Sequence, residues 1–258
     1  MKLNAELLPA VERIAREAGV LILQVYASDF DVQGKADTSP VTEADERAEA
    51  CIVAALRRLT PEVPIVAEEA AARGEVPEPG SRFWLVDPLD GTREFVSRNG
   101  EFTVNIALIE DGEPVLGVVF EPVADRLYAG VVGAGAWLHE AAGRRAMHCR
   151  QPAPEGVVLA CSRSHGDEAA MARWLGSRPV LRRMAVGSSL KFGLLAAGQA
   201  DLYPRLGRTK EWDTAAGHAV LRAAGGQVFD LQGNPLRYGK PGFENPHFVA
   251  HGLTSSAL

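Results

Sequence analysis

Acidic residues recur in this chain directly after short apolar segments that have the composition of buried strands. Glu68 follows the segment 65–67, and Asp87 and Asp90 follow the segment 84–86. Strand ends are places where binding and catalytic groups are commonly built. Several carboxylates in one cleft repel one another, and a hard cation such as Mg2+, which prefers oxygen ligands, relieves that repulsion. The pattern therefore predicts a metal-assisted site built from carboxylates.

The segment Asp87 to Thr92, with the sequence DPLDGT, concentrates this chemistry. A tight proline turn is expected to bring the carboxylates of Asp87 and Asp90 to one side, and Gly91 lets the backbone approach a ligand closely. The backbone N–H groups of Gly91 and Thr92 are then expected to receive phosphate oxygens. This segment predicts a metal cage beside a phosphate cradle.

Two further acids stand where helices are expected to begin, and each has two interpretations. Thr42 is placed to cap a helix whose first turn holds Asp45, and Asp213 precedes a helical pattern over 214–224. A helix cap or a first-turn acid stabilised by the helix dipole explains both residues without any function. A role as metal ligand or proton acceptor is the other interpretation, and the position of each acid by itself favours the cap or first-turn interpretation.

The elements that must position these acids differ between the two halves of the chain. Two amphipathic helices come first, one ending near Tyr26 and one running to Leu59. The turn signal EDGEP at 110–114 joins two of the strands that follow, so this half predicts an antiparallel sheet flanked by the two helices. Those strands are predicted at 65–67, 83–86, 102–109, 115–120 and 127–132.

The second half alternates strands with helices and so predicts an α/β layer. Strands are predicted at 157–161, 200–203 and 227–229, and helices at 168–175, 189–197 and 214–224. The proline-containing stretch 151–156 suggests the boundary. We therefore expect an N-terminal α+β domain, residues 1–150, with most of the acids. A C-terminal α/β domain, residues 151–258, is expected to supply Asp213.

Composition excludes several functional classes. The chain has 258 residues, 47% of them hydrophobic, and a formal net charge of -6. That charge argues against binding a nucleic-acid polymer, which needs clustered Lys and Arg. No segment has the length or apolarity of a signal peptide or a membrane span, and the three scattered cysteines suit free thiols in a reducing compartment. A cytoplasmic location without membrane insertion is the simplest expectation.

Two separate segments of the chain carry a family resemblance. The string DPLDGTREF at 87–95 and the later WDTAAGHA at 212–219 resemble the paired signature of the inositol monophosphatase superfamily of lithium-sensitive, metal-dependent phosphatases. Within it, the chain is most similar to the bacterial 3'(2'),5'-bisphosphate nucleotidase branch. Ordered segments carry this similarity along nearly the whole chain, among them KADTSPVTEAD, NGEFTVNIALI, GSSLKF and ENPHF. The resemblance implies the layered αβαβα sandwich of the inositol monophosphatase and fructose-1,6-bisphosphatase type.

The resemblance also implies roles for individual residues. Glu68, Asp87 and the carbonyl of Leu89 would hold one Mg2+, and Asp87, Asp90 and Asp213 would hold a second, with Asp87 bridging the two. More than one Mg2+ per site and inhibition by Li+ are expected.

In the same family pattern, Thr92 together with Asp45 helps to activate water, and the phosphate rests on Gly91 and Thr92. Glu68 counts among the catalytic groups and Asp213 among those near the substrate. The implied reaction is an in-line attack of metal-activated water on phosphorus without a covalent phosphoenzyme.

Segments away from the metal cage are expected to choose the substrate. Ser164 and His165 in SRSH, Ser188 and Lys191 in GSSLKF, and Arg205 in LYPR are placed to meet a second phosphate and a ribose. The plain alternative for Lys191 is a solvated lysine on a helix surface.

The resemblance implies hydrolysis of adenosine 3',5'-bisphosphate to AMP and phosphate, with a place in sulfate assimilation. A phosphatase of the same superfamily acting on inositol monophosphate, histidinol phosphate or a sugar bisphosphate is the first alternative. A nucleotide-binding protein without catalysis and a structural or interaction protein are the others. Dimers are common in the superfamily, so a homodimer is also kept as an expectation.

Overall fold

The computed structural model describes residues 2–28, 40–163 and 168–253. In these ranges the helices are α1 (Lys2–Tyr26), α2 (Pro40–Leu59), α3 (Glu68–Ala72), α4 (Thr92–Val96), α5 (Glu168–Leu175), α6 (Leu190–Ala196) and α7 (Glu211–Ala223), with a 3-10 turn at Pro241–Phe243. The strands are β1 (Ile65–Ala67), β2 (Arg82–Asp90), β3 (Thr103–Glu110), β4 (Glu113–Glu121), β5 (Arg126–Val131), β6 (Gly135–Glu140), β7 (Gly143–Met147), β8 (Val157–Ser162), β9 (Val180–Val186), β10 (Leu202–Arg205), β11 (Gln227–Asp230) and β12 (Phe248–His251).

The strands form two sheets. The first has seven strands in chain order, β1 to β7, and every pair is antiparallel except β1 with β2. The second has the order β11-β12-β10-β8-β9. The predicted hairpin at 110–114 is confirmed, because Asp111 and Gly112 adopt positive φ values of 50° and 75° between β3 and β4.

Three apolar clusters stack the helices and sheets into five layers. One face of the first sheet packs against α1 and α2, where Ile22 and Ile52 meet Trp84. The other face packs against α6 and α7, which also cover the second sheet, and α5 lies on that sheet's far side. The αβαβα order implied by the family resemblance is therefore confirmed. None of the helices in the described ranges is both long and apolar enough to cross a membrane.

Helix α7 lies unusually close to the first sheet because two glycines remove side chains beneath it. A Cβ on Gly117 would stand 2.2 Å from the carbonyl oxygen of Ala216, and one on Gly130 would stand 2.8 Å from the Cα of Val220. The contact seats a helix of the second half directly on β4 and β5. The beginning of α7 is thereby placed at the carboxyl end of β2, where the acids lie.

Several sequence predictions need correction. Helix α2 begins at Pro40, not after a cap at Thr42, because proline is well tolerated at the first helical position. Asp45 therefore lies beyond the first turn. The helix expected to begin at 214 begins at Glu211. Strands β6, β7, β9 and β12 were not predicted; β7 and β9 are largely exposed and carry Arg pairs in place of an apolar run.

The two-domain division at 151–156 stays a prediction. One sheet draws on residues 65–147 and the other on 157–251. The apolar cluster between them, however, combines side chains of both sheets, such as Phe83 and Phe248, and α7 packs against strands of both.

Candidate active site

Glu68 and Asp87 are brought side by side by the one parallel strand pair of the first sheet. In the register of β1 and β2, Ala67 lies opposite Val86. Glu68 and Asp87, which come directly after these two residues, are therefore neighbours as well. After burial, the charge of Glu68 is the largest cause that raises the pKa of Asp87. The structure therefore places these two acids side by side.

Asp87 and Asp90 face the same cavity because of a bulge in β2, not a proline turn. Asp87 pairs with Asn105 and Asp90 with Thr103, so three steps along β2 match two steps along β3. Without the extra residue, positions three apart would point to opposite faces of the sheet. Pro88 favours the irregularity because it has no N–H to give to the ladder. The N–H of Leu89 instead donates to Asp87 Oδ1 at 3.0 Å.

Asp213 reaches the same cavity from α7. It is the third residue of that helix, and its Oδ2 accepts the backbone N–H of Lys210 at 2.9 Å. The alternative that Asp213 is an N-cap is therefore wrong, since Lys210 occupies that position. Asp90 and Glu68 are its electrostatic neighbours, which brings the acid of the second half to those of the first.

Asp45 lies behind this group, on the buried side of α2. Its nearest charged neighbours are Glu69, Glu68 and Glu49, and it also acts on Asp87. Among the residues that the structure describes, no hydrogen bond joins Asp45 to Thr92, which is exposed at the start of α4. Helices α2 and α4 are in contact, so the structure brings their two segments together without pairing these two side chains.

Burial and mutual repulsion raise the pKa values of this acidic group. Desolvation, followed by the charges of neighbouring carboxylates, raises the pKa of Asp45 to about 8, and desolvation and Asp90 do the same for Asp213. Burial raises the pKa of Glu68 to about 7. The pKa values of Asp87 and Asp90 are also raised, with burial again the first cause. The site holds more acidic groups than it can keep ionised by itself.

The chemistry of this donor set fits a hard divalent cation. Every candidate ligand is an oxygen. The raised pKa values of Glu68 and Asp213 indicate that these carboxylates lack enough nearby positive charge to stay ionised. Within residues 2–28, 40–163 and 168–253, no three acidic, histidine or cysteine side chains already converge as a finished ligand set. The fit therefore rests on donor type and charge, and the carboxylates available are those of Glu68, Asp87, Asp90 and Asp213.

The acids line a cavity of about 350 Å3 that cationic side chains also line. Lys191 is only 3% exposed, so the alternative of a solvated lysine is wrong. Its Nζ donates to the carbonyl oxygens of Val186 (3.2 Å) and Ser188. Arg205 and Arg208 line the same cavity. The Nε of Arg205 is buried and has no hydrogen-bond partner in the described part of the chain.

A hydroxyl network that was not predicted connects Asp90 to the 188–189 segment. Ser188 adopts a φ of 52° and donates from Oγ to Asp90 Oδ2 at 2.6 Å. Its Oγ also lies 2.5 Å from that of Thr103. Ser189 donates to Asn105 Oδ1 at 2.7 Å. Thr103 and Asn105, which pair with Asp90 and Asp87 across the sheet, therefore also hold the 188–189 segment.

The other predicted site residues have mixed outcomes. Gly91 has a φ of 100° and lines the cavity with Leu89 and Thr92, which confirms that this position requires a residue without a side chain. Ser164 and His165 lie outside the described residues. Glu49 and Thr103 were missed, although each is a polar residue within an apolar pattern, and that pattern is the signal that could have identified them.

Comparisons with known proteins agree with one another. Residues 3–256 match the model of the inositol monophosphatase family. The chain is 50% identical over 245 residues to a protein of Escherichia coli (strain K12) named 3'(2'),5'-bisphosphate nucleotidase CysQ, covering 94% of this chain and 98% of that one. The same-named protein of Buchnera aphidicola is 40% identical over 256 residues, covering 98% of this chain and 94% of that one.

A solved structure shows the same fold. The crystal structure of CysQ from Bacteroides thetaiotaomicron superposes with a TM-score of 0.82 at 38% identity, covering 94% of this chain and 96% of that one. With a family model that spans nearly the whole chain, and with these relatives, the conclusion is direct: this chain belongs to the inositol monophosphatase family.

Proposed function

We propose that this protein is a Mg2+-dependent phosphatase that removes the 3'-phosphate of adenosine 3',5'-bisphosphate to give AMP and phosphate. The observation that carries the proposal is one cavity lined both by acids and by the basic side chains of Lys191, Arg205 and Arg208. A substrate with two phosphates can use both sets of groups at once: the acids, with their cations, take the reacting phosphate and the basic side chains take the other. The name of the relatives, a 3'(2'),5'-bisphosphate nucleotidase, supports this choice.

The residues that would hold Mg2+ are Glu68, Asp87, Asp90 and Asp213, together with the carbonyl of Leu89. When bound, Mg2+ supplies positive charge that lowers the pKa of water and stabilises negative charge on the leaving oxygen. The protein residues fix where this happens: α3, β2 and α7 bring the carboxylates to the same cavity. Ser188 orients Asp90 through its hydrogen bond.

Thr92 and Asp45 are proposed to handle the attacking water. Thr92 lines the cavity beside Gly91, so its hydroxyl can orient a water toward a phosphate bound over the 91–92 backbone. Asp45 is proposed to take a proton from that water, because it is a buried carboxyl on α2, which contacts the helix that begins with Thr92. As the water oxygen bonds to phosphorus, the bond between phosphorus and the 3' oxygen breaks, the 3' oxygen takes a proton from solvent, and AMP and phosphate leave.

The test is phosphate release from a small substrate panel in the presence of Mg2+. Adenosine 3',5'-bisphosphate should be hydrolysed with the highest kcat/KM, ahead of inositol monophosphate, histidinol phosphate and a sugar bisphosphate. Activity should disappear with a chelator, return with Mg2+, and be inhibited by Li+. A clear preference for one of the other three substrates would replace the proposed substrate, and full activity in excess chelator would overturn the metal dependence.

Four wider expectations accompany this proposal. Ser164 and His165 are proposed to bind the nonreacting side of the substrate. A place in sulfate assimilation follows from the substrate, and a cytoplasmic location is proposed with it. A homodimer remains a prediction, for which sedimentation of the purified protein is the direct measurement.

A further inference from the structure

Glu101 is the centre of a hydrogen-bonded cluster at the rim of the cavity. Its Oε1 and Oε2 accept from Arg163 Nη2 and Nε at 2.6 and 2.8 Å, and Oε2 also accepts the backbone N–H of Gly187 at 2.7 Å. The side chain of Glu101 is only 20% exposed. Paired, charge-assisted contacts of this type fix geometry as well as adding stability.

The cluster joins the two sheets. Glu101 lies two residues before the start of β3 of the first sheet, whereas Arg163 follows β8 and Gly187 follows β9 of the second. Arg163 Nη2 also donates to the carbonyl oxygen of Ala185 at 2.9 Å. One carboxylate therefore fastens the ends of two parallel strands of the second sheet to the first sheet.

The fastened ends form a wall of the cavity. Ser162 precedes Arg163 and Ser188 follows Gly187, and both serines line the cavity. The fit at Gly187 is close, since a Cβ there would stand 2.6 Å from Glu94 Cγ and 2.8 Å from the carbonyl oxygen of Glu101. A displacement of this segment would therefore move Ser188 and the backbone carbonyl that holds Lys191.

Neither Glu101 nor Arg163 is among the residues that line the cavity. The guanidinium of Arg163 is engaged by Glu101 and by Ala185, and both oxygens of Glu101 are occupied by donors. The hydrogen bonds from Arg163 lower the pKa of Glu101, so the pair is charged throughout the neutral range. Any effect of Glu101 on the substrate must act through the segments that it holds.

We propose that Glu101 is a positioning residue that fixes the second-sheet wall of the cavity and thereby sets the affinity for the nonreacting phosphate and ribose of the substrate. This inference rests on the proposed function. It adds a specificity determinant from the first sheet, although the groups that would touch this part of the substrate lie on the second.

The experiment compares Glu101→Gln with Glu113→Gln. Glu113, on β4, is a matched control because it too joins the two halves, accepting from Arg222 at 2.9 Å and pairing with Arg237 at 2.7 Å, but it lies outside the acidic cavity. Calorimetric titration with AMP, which keeps the nonreacting phosphate, measures affinity without turnover. Steady-state kinetics with the bisphosphate and with p-nitrophenyl phosphate complete the comparison.

For Glu101→Gln we expect the Kd for AMP and the KM for the bisphosphate to rise about tenfold, with kcat and the KM for p-nitrophenyl phosphate within about threefold of wild type. Glu113→Gln should leave the Kd for AMP unchanged. Arg163→Lys, which keeps the charge but not the two-pronged contact, should shift the Kd in the same direction and serves if Glu101→Gln does not fold. An unchanged Kd for AMP in the folded Glu101→Gln or Arg163→Lys protein overturns the positioning role.

The outcome is distinguishable from failure of the proposed function. If the wild-type protein neither binds AMP nor hydrolyses the bisphosphate, the substrate assignment is wrong, and the positioning role for that substrate is wrong with it. If the wild type does both and the variants behave like it, only the role of Glu101 is wrong. Equal losses on both substrates would also overturn the inference, because they indicate general damage to the site.

Discussion

The carboxylate of Glu49 accepts the backbone N–H of Glu69 at 2.7 Å, one residue beyond the proposed metal ligand Glu68. It also accepts the N–H of Ala70 at 2.9 Å. Both amides belong to the first turn of α3, whose N–H groups have no partners within the helix. Helix α2 thus holds α3 by its first turn, and the position of Glu68 depends on that contact.

Replacing Glu49 with Gln should mainly weaken the binding of Mg2+ at the site. A neutral amide accepts the two N–H groups less strongly, so we expect the Mg2+ concentration for half-maximal activity to rise about fivefold and the free energy of unfolding to fall by about 1 to 3 kcal/mol. Mg2+ titrations and thermal unfolding measure the two effects. Glu46→Gln, on the exposed side of the same helix, is the control, and identical Mg2+ titrations for the two variants would contradict the role of Glu49.

The stability of the metal-free protein should fall as the pH rises. The pKa values of Asp45 and Asp213 in the folded protein are raised to about 8 by burial, compared with about 4 in an unfolded chain. Protonation is therefore favoured by folding: this contribution is fully present below about pH 4 and is lost as the pH rises through about 8. Chelator-treated protein should show a Tm that declines between pH 5 and 8.5.

Added Mg2+ should raise the Tm more at pH 8.5 than at pH 6, because the cation binds the ionised form of the acids. In Asp45→Asn the decline without metal should be shallower. A Tm of the metal-free protein that stays level or rises over this range would show that the acids are compensated in some other way.

Lys191 should discriminate between substrates through its charge. Burial lowers its pKa to about 8, so its ammonium is present at pH 7 and is lost above about pH 8. We expect Lys191→Met to raise the KM for adenosine 3',5'-bisphosphate about tenfold at pH 7, and to raise the KM for p-nitrophenyl phosphate much less. Between pH 7 and 9 the wild-type KM for the bisphosphate should rise toward that of the variant. Parallel pH profiles for the two proteins would remove Lys191 from substrate binding.

Asp45 and Thr92 should behave as one unit if both handle the attacking water. Asp45→Asn and Thr92→Ala should each lower kcat by about 100-fold with little change in KM, and the double variant should lose little more than the worse single one. Roughly additive losses would mean independent roles. Near-normal turnover in Asp45→Asn would leave this acid with only its electrostatic effect on Asp87.

Local patterns in the sequence predicted which acids belong to the candidate site, but not the structural features that bring these acids together. The strand at 84–86 and the acids after it were recognisable from composition alone. The bulge that turns Asp87 and Asp90 to one face depends on the register between β2 and β3, a relationship between distant segments. A proline in a strand admits both a turn and a bulge, so the local sequence could not choose between them.

The partners of the acids were harder to predict for the same reason. Glu49 is separated from Glu69 by 20 residues, and Glu101 from Gly187 by 86. Glu101 looks like an ordinary surface acid until the fold places the backbone N–H of Gly187 against it, and the apolar pattern around Glu49 indicates burial without showing which groups it contacts. The exposed strands β7 and β9 were missed because their Arg pairs break the apolar alternation by which strands are recognised.

The seating of α7 on the glycines of β4 and β5 has a consequence for how this protein unfolds. Because the helix shares one apolar cluster with both sheets, neither half can lose its structure without exposing apolar surface of the other. Thermal denaturation should therefore be a single cooperative transition in which the cavity and the fold are lost together. The N-terminal segment alone, residues 1–150, would retain Glu68, Asp87 and Asp90 but would lack the helix that covers its sheet.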